Sequence, residues 1–199
     1  MKRFRHCLAV AGVLLVAASL YAGCSAAAPT EAPPADTPFQ PIATVREIMN
    51  SVIDPSVDVV WNAVATDIDH AGVKDRTPTT DEDWAEVRRH ALIVSEAANL
   101  LLMHDRPVAR PGEPSLAPGV EATPEEIREL IDKNPDAWNS YVLEFQASLK
   151  LALAAIDKKD TQALFDAGEQ IDTTCENCHG VFWYPNAGAP APNAAASAR

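Results

Sequence analysis

Residues 171–183 read IDTTCENCHGVFW, and the fold of the whole chain follows from how this stretch is built. Leu164, Gly168, Ile171, Cys175, Cys178 and Phe182 recur at alternating steps of four and three, the core-facing seam of an amphipathic helix. Both cysteines lie in that seam, and His179 sits one turn beyond Cys175 on the same side. The group Cys175-Glu-Asn-Cys178-His179 therefore faces whatever packs on this helix.

Cys-x-x-Cys-His is the arrangement that attaches c-type haem. Two thiols reach the two vinyl groups at one porphyrin edge, and the next imidazole swings beneath the iron. One covalent haem c is expected, on Cys175 and Cys178, with His179 as an iron ligand. A thioredoxin-like dithiol would need a preceding strand and a βαβ context, and neither is visible. Half of a structural zinc site would need a second Cys/His pair, and the sequence has none at zinc spacing.

The start of the chain bears on the compartment. Lys2, Arg3 and Arg5 form a positive n-region, and Cys7 to Leu20 an apolar h-region too short to span a membrane as a mature helix. Ala22-Gly23-Cys24 follows and resembles the end of a bacterial lipoprotein signal, in which cleavage before the cysteine leaves it lipidated. Tyr21 stands where a Leu is usual, with Leu20 one place early. Ordinary secretion, with cleavage near Ala22 or after Ala26, is the alternative. Both routes lead to export, and the lipid route to a periplasmic protein anchored to a membrane at Cys24. Of the four cysteines none then remains for a structural disulfide, so stability must come from a core.

The chain divides into a signal (1–23), an Ala/Pro-rich tether (24–43), a folded domain (44–183) and a tail (184–199) that repeats the tether's composition. Net charge is −12, and loss of residues 1–23 with Lys2, Arg3 and Arg5 takes it to −15. That surface argues against nucleic acid and against anionic lipid headgroups, and suits a basic partner.

Helical signals fill the domain, and strand signals are absent. Thr44 and Glu47 form a capping box ahead of Val45, Ile48, Met49, Val52 and Ile53. Pro55 kinks or restarts this helix, whose apolar pattern resumes at Val59, Val60, Ala63 and Val64 before Gly72. A second helix follows Thr80, with a seam of Trp84, Val87, Ala91, Val94, Ala98 and Leu101. A Pro-rich connection, Asp105 to Thr123, suggests an excursion over one end. A short helix spans Pro124 to Lys133, and a third long one starts with Asn134 as N-cap and Pro135 at its first position. Its seam is Trp138, Tyr141, Val142, Phe145, Leu149, Ala152 and Ile156, and Asp160 caps the last helix. Long helices with one apolar face each, about 35 Å at 1.5 Å per residue, predict an all-α fold, an antiparallel four-helix bundle.

With its haem motif late in the last helix, the stretch from Thr44 to Trp183 resembles the cytochrome c′ family, the class II c-type cytochromes, a bundle fold. The resemblance implies that Cys175 and Cys178 carry the thioethers and that His179 is the proximal ligand. It places the first helix across the distal face, where Met49 corresponds to the Met that ligates iron in low-spin members, and Arg46 to an Arg beside a haem propionate. The family spaces that Arg and the distal residue four apart. Here Arg46 and Met49 are three apart and Asn50 takes the fourth place. A basic residue commonly follows the motif, where this chain has Phe182-Trp183.

Other residues are weighed against simpler roles. Met49 on an apolar face also serves as packing. His90 and His104 lie off the second helix's seam and read as exposed, and His70 falls in a turn. Trp84, Trp138, Tyr141 and Phe145 are core or pocket wall, and Arg88 and Arg89 read as solvated charges. No acid/base pair or nucleophile constellation points to an enzyme. The expected function is that of a monohaem electron carrier. Gas binding by a five-coordinate haem, or a haem-based redox sensory lipoprotein, is the alternative. The partners this reading admits are a basic redox protein, a membrane reached through the lipid, and a second copy of the chain.

Overall fold

The computed structural model describes residues 39–70 and 72–185, a mostly helical fold. Cys24, the signal, the tether up to residue 38 and the tail from residue 186 lie outside the described residues.

The first helix begins as α1 (Val45–Ile48), widens into a π-helical segment (Met49–Ile53) and continues as α2 (Asp54–Ala63). Its start is the expected box: Thr44 Oγ1 accepts from Glu47 N–H, and the Glu47 carboxylate accepts from Thr44 N–H. Two further N–H groups, of Val45 and Arg46, donate to the carbonyls of Pro107 and Val108 in the long connection. In the π segment Asp54 N–H donates to Met49 O. Pro55 has no N–H to offer Ser51, and its ring crowds that carbonyl, so the ladder widens instead of breaking.

The wider turn rotates the rest of the helix about its axis. Sequence periodicity points Val59 and Ala63 inward, yet Ser56, Val57 and Val60 are the buried residues of α2, with Val59 and Ala63 half-buried.

The expectation of helices throughout needs correcting between residues 65 and 76. Strands β1 (Ala65–Asp69) and β2 (Gly72–Arg76) pair antiparallel as a small hairpin, Ala65 opposite Arg76. Gly72, read as a helix stop, follows the turn at φ +131°, a conformation that glycine alone adopts freely. All of β2 is exposed, so that strand buries no face whose alternation could announce it.

Helix α3 (Asp81–Leu101) starts at a Thr80–Asp83 capping box and buries its whole predicted seam. Helix α4 (Pro124–Lys133) starts at a Thr123–Glu126 box. Before α5 (Pro135–Lys158), Asn134 does not act as the expected side-chain N-cap. Its Nδ2 donates backwards to Leu130 O, closing α4, and Pro135 needs no N–H partner. Asp160 caps α6 (Thr161–Phe182) by accepting from Ala163 N–H.

Helix α5 packs along α6, α3 along α5, and α2 against α3. Ser148 meets Thr174 near the middle and Trp138 meets Phe182 farther from the turn, the order of an antiparallel pair. Arg88–Asp157, Asn99–Gln146 and Leu101–Trp138 run in the same antiparallel sense between α3 and α5. Leu149, Leu164 and Ile171 are fully enclosed where these helices meet. Each such side chain contributes roughly 1.5–3 kcal/mol of burial. Where helix α2 meets α6, Trp61 Nε1–H donates to Gly168 O at 3.1 Å.

Candidate functional site

Between the first helix and α6 lies a cleft with room for about 120 Å³, partly open to solvent. Its walls come from four directions. Met49, Ile53, Val57 and Trp61 form a stripe at steps of four along the first helix, and Leu101 closes the end of α3. Tyr141 and Phe145 rise from α5, and Cys175, Cys178 and His179 from α6. Its lining is mainly apolar and aromatic, the character of small-molecule and cofactor pockets.

Cys175, Cys178 and His179 thus line one and the same cleft. Burial pushes the Cys175 thiol up to about 12, with smaller contributions from Cys178 and nearby carboxylates. Burial alone pushes Cys178 to about 12. A working redox dithiol needs a lowered thiol pKa, so these surroundings oppose thiolate chemistry. Among the described residues, no group of three or more His, Cys, Asp or Glu side chains is placed to hold a bare metal ion. A zinc role for the pair therefore has no further ligands.

Neither nitrogen of the His179 ring is hydrogen-bonded among the described residues. Trp183 and Tyr184 flank it at ring-centroid distances of 6.1 and 6.3 Å. Both also donate their backbone N–H to His179 O at 2.8 Å, which winds the helix end tightly around the imidazole. The Phe182-Trp183 pair that stands where a basic residue is common now has an explanation in packing. Phe182 is fully buried edge-on to Trp138 and Tyr141, and Trp183 O accepts from Ala122 N–H of the connection. A flat macrocycle attached through two vinyl groups needs an apolar slot, two thiols on one wall and an unpaired imidazole. The residues present meet all three needs.

Met49 lines the cleft while Asn50 is exposed, so position 49 faces the cleft in spite of its three-residue spacing from Arg46. The π segment that starts at Met49 sets this register. Asp54, at the cleft's mouth, has its carboxyl raised by partial burial and opposed by attraction to His179.

Arg46 is buried but lines no part of this cleft. Its Nη1 donates to Pro114 O at 2.9 Å, and Nη2 lies 3.9 Å from Glu121 Oε1. Glu121 is itself buried and accepts from the N–H groups of Leu116 and Ala117 and from Ser115 Oγ. Nε and Nη2 of Arg46 have no hydrogen-bond acceptor. The guanidinium thus already has an anionic neighbour besides the propionate that the resemblance implies.

Of the remaining candidates, Trp138, Tyr141 and Phe145 line the cleft, whereas Trp84 is core. His90 is half-buried against Glu86, not exposed as its off-seam position suggests. His104 lines a separate depression beside Arg106, and His70 lies in the hairpin turn. Arg88 and Arg89 pair with Asp157 and Glu86 at the surface. Sequence reading missed Trp61 and Val57. The run Met49, Ile53, Val57, Trp61 carries the signal, since steps of four across the π segment keep one face.

No family model matches the chain, and neither the curated proteins nor the solved structures contain a match to it.

Proposed function

We propose that the protein is a monohaem c-type cytochrome, an electron carrier of the periplasm or cell envelope tethered by lipid at Cys24. The carrying observation is that Cys175, Cys178, His179 and Met49 meet in one apolar cleft. The antiparallel pairs α5–α6 and α3–α5, with α2 packed on α3, support an up-down-up-down bundle like that of the cytochrome c′ family.

In this reading Cys175 and Cys178 would hold the group as thioethers, and His179 would present a ring nitrogen to its iron. Bound haem supplies one-electron chemistry, and a Met opposite a His raises its potential. The chain's own part is to hold and shield. Leu101, Val142 and Phe145 keep water from the inner wall, and Trp183 and Tyr184 fix the imidazole plane. Met49 stands on the opposite helix as the candidate sixth ligand.

The test is optical. Made in a host that matures c-type cytochromes, the protein is expected to be red, with covalent haem and a low-spin reduced spectrum. Met49→Ala should convert it to high spin and admit carbon monoxide. A colourless, iron-free product would end the reading. A five-coordinate haem that binds nitric oxide or carbon monoxide is the second reading, favoured by the apolar residues Ile53 and Val57 beside Met49. Carbon monoxide bound by the unsubstituted protein would decide for it.

A further inference from the structure

A second, more open depression with room for about 310 Å³ lies outside the cleft between α2 and α6. Val60, Trp61, Val64, Leu164, Phe165 and Gly168 form its apolar floor, and Phe165 is 43% exposed. Trp61 and Asp172 line both spaces, so the groove adjoins the cleft across the indole. Carboxylates ring the two openings: Asp54, Asp172 and Glu176 at the cleft, Glu169 and Asp172 at the groove. No lysine or arginine lines either space, and none of these four acids forms an ion pair among the described residues. Helix α6 carries no Lys or Arg at all. Some exposed acids elsewhere behave differently. Glu86, Glu129, Asp132 and Asp157 each meet a cation close by.

We propose that this groove is the docking surface for a redox partner protein that presents lysines and arginines around an apolar patch. The inference rests on the electron-carrier reading and names where the partner sits. An apolar floor inside an uncompensated anionic rim suits such a surface. The floor supplies area removed from water, and the rim attracts and orients a cationic face over many ångströms at low salt. A second copy of this chain brings the same carboxylates and is repelled. Trp61 places an aromatic ring between the partner's side and the cleft, and its bond to Gly168 O fixes it there.

The probe is a lysine-rich class I cytochrome c, mixed with the haem-loaded protein. Association is followed by titration calorimetry and electron exchange by stopped flow, each from 10 to 300 mM salt. Glu169→Gln/Asp172→Asn is compared with Glu125→Gln/Glu144→Gln, which changes the net charge equally on exposed helix faces elsewhere. The groove pair should weaken association at low salt roughly tenfold and flatten its salt dependence, the control pair less than about twofold. Equal effects of the two pairs, or none from the groove pair, would overturn the docking site while leaving the carrier reading intact. Association that is lost in the groove pair without any electron exchange in the parent would keep the surface and sink the carrier reading. A Phe165→Ser variant should also lower affinity. If it instead dissociates a homodimer seen by sedimentation, the groove belongs to a second copy and the proposal fails.

Discussion

At Gly168 two effects of opposite sign can be weighed. An added Cβ would sit 3.2 Å from Trp61 Cδ1, so the indole must move. Alanine in a helix gains up to about 1 kcal/mol over glycine. Overpacking costs about 1–3 kcal/mol, and the Trp61–Gly168 hydrogen bond is worth about 1 kcal/mol more. Gly168→Ala should therefore destabilise by roughly 1–2 kcal/mol, read from the urea midpoint, with a change in tryptophan emission. Glu121 offers a larger effect. It is buried against Arg46 and holds two backbone N–H groups, so Glu121→Ala takes from Arg46 one of its two carboxylate neighbours and leaves Leu116 N–H without an acceptor, while Ala117 N–H keeps Ser115 Oγ. A loss of about 2–4 kcal/mol is expected, and Arg46→Met in the same chain should restore part of it. Full restoration of stability with haem binding unaffected would mark Arg46 as a packing device of the loop. Neither Glu121 nor Gly168 could be singled out in the sequence as a partner, because their partners lie 75 and 107 residues away.

Helix starts were the most readable elements. Thr44 with Glu47, Thr80 with Asp83, and Asp160 announce themselves because the capping hydrogen bonds are made within three residues. Two of these boxes should titrate. Asp83 is lowered from 3.8 to about 2, first by the N–H groups of Thr79 and Thr80, and Glu47 is lowered first by Thr44 N–H. A depressed folded pKa means a stabilising contribution that is complete above the ordinary carboxylate value. It is then lost as pH falls through the folded one. For Asp83 the window runs from about 3.8 down to about 2. Asp83→Asn should be less sensitive than the parent within that window in thermal melts, and equal slopes would remove the box from acid unfolding. The π segment and the hairpin were illegible for a physical reason. One arises from a competition at Pro55 that periodicity cannot resolve, and the other buries nothing along β2.

Taken as a whole, the molecule keeps its motif-bearing helix in place through contacts of different kinds. These include the long apolar seam with α5, smaller contacts with α2 around Trp61 and with α4, and the backbone bond from Ala122 to Trp183. Filling of the cleft should bind these parts together. Cys175→Ala/Cys178→Ala, which cannot hold haem covalently, is expected to melt roughly 10 °C below the loaded protein, as a loss of about 3 kcal/mol would give. Amide exchange should quicken in the first helix and α6 while α3 and the facing part of α5 stay protected. Uniform loosening would mean that the cleft has no special part in stability. The mostly helical character was legible in the caps and apolar seams, and the placing of Cys175, Cys178 and His179 on one face in the periodicity of a single helix. The cleft's other walls come from three further stretches, whose register only the packed fold supplies.

The connection from Arg106 to Ala122 touches both ends of the folded part. Arg106 donates to Ala43 O, Pro107 and Val108 receive the first N–H groups of α1, and Ala122 holds Trp183 O. The backbone thus arrives and departs at one pole, with the hairpin joining α2 to α3. A circular permutant that links residue 185 to residue 39 by a short Gly/Ser bridge, with new termini cut in the hairpin turn, should fold with the same helical content.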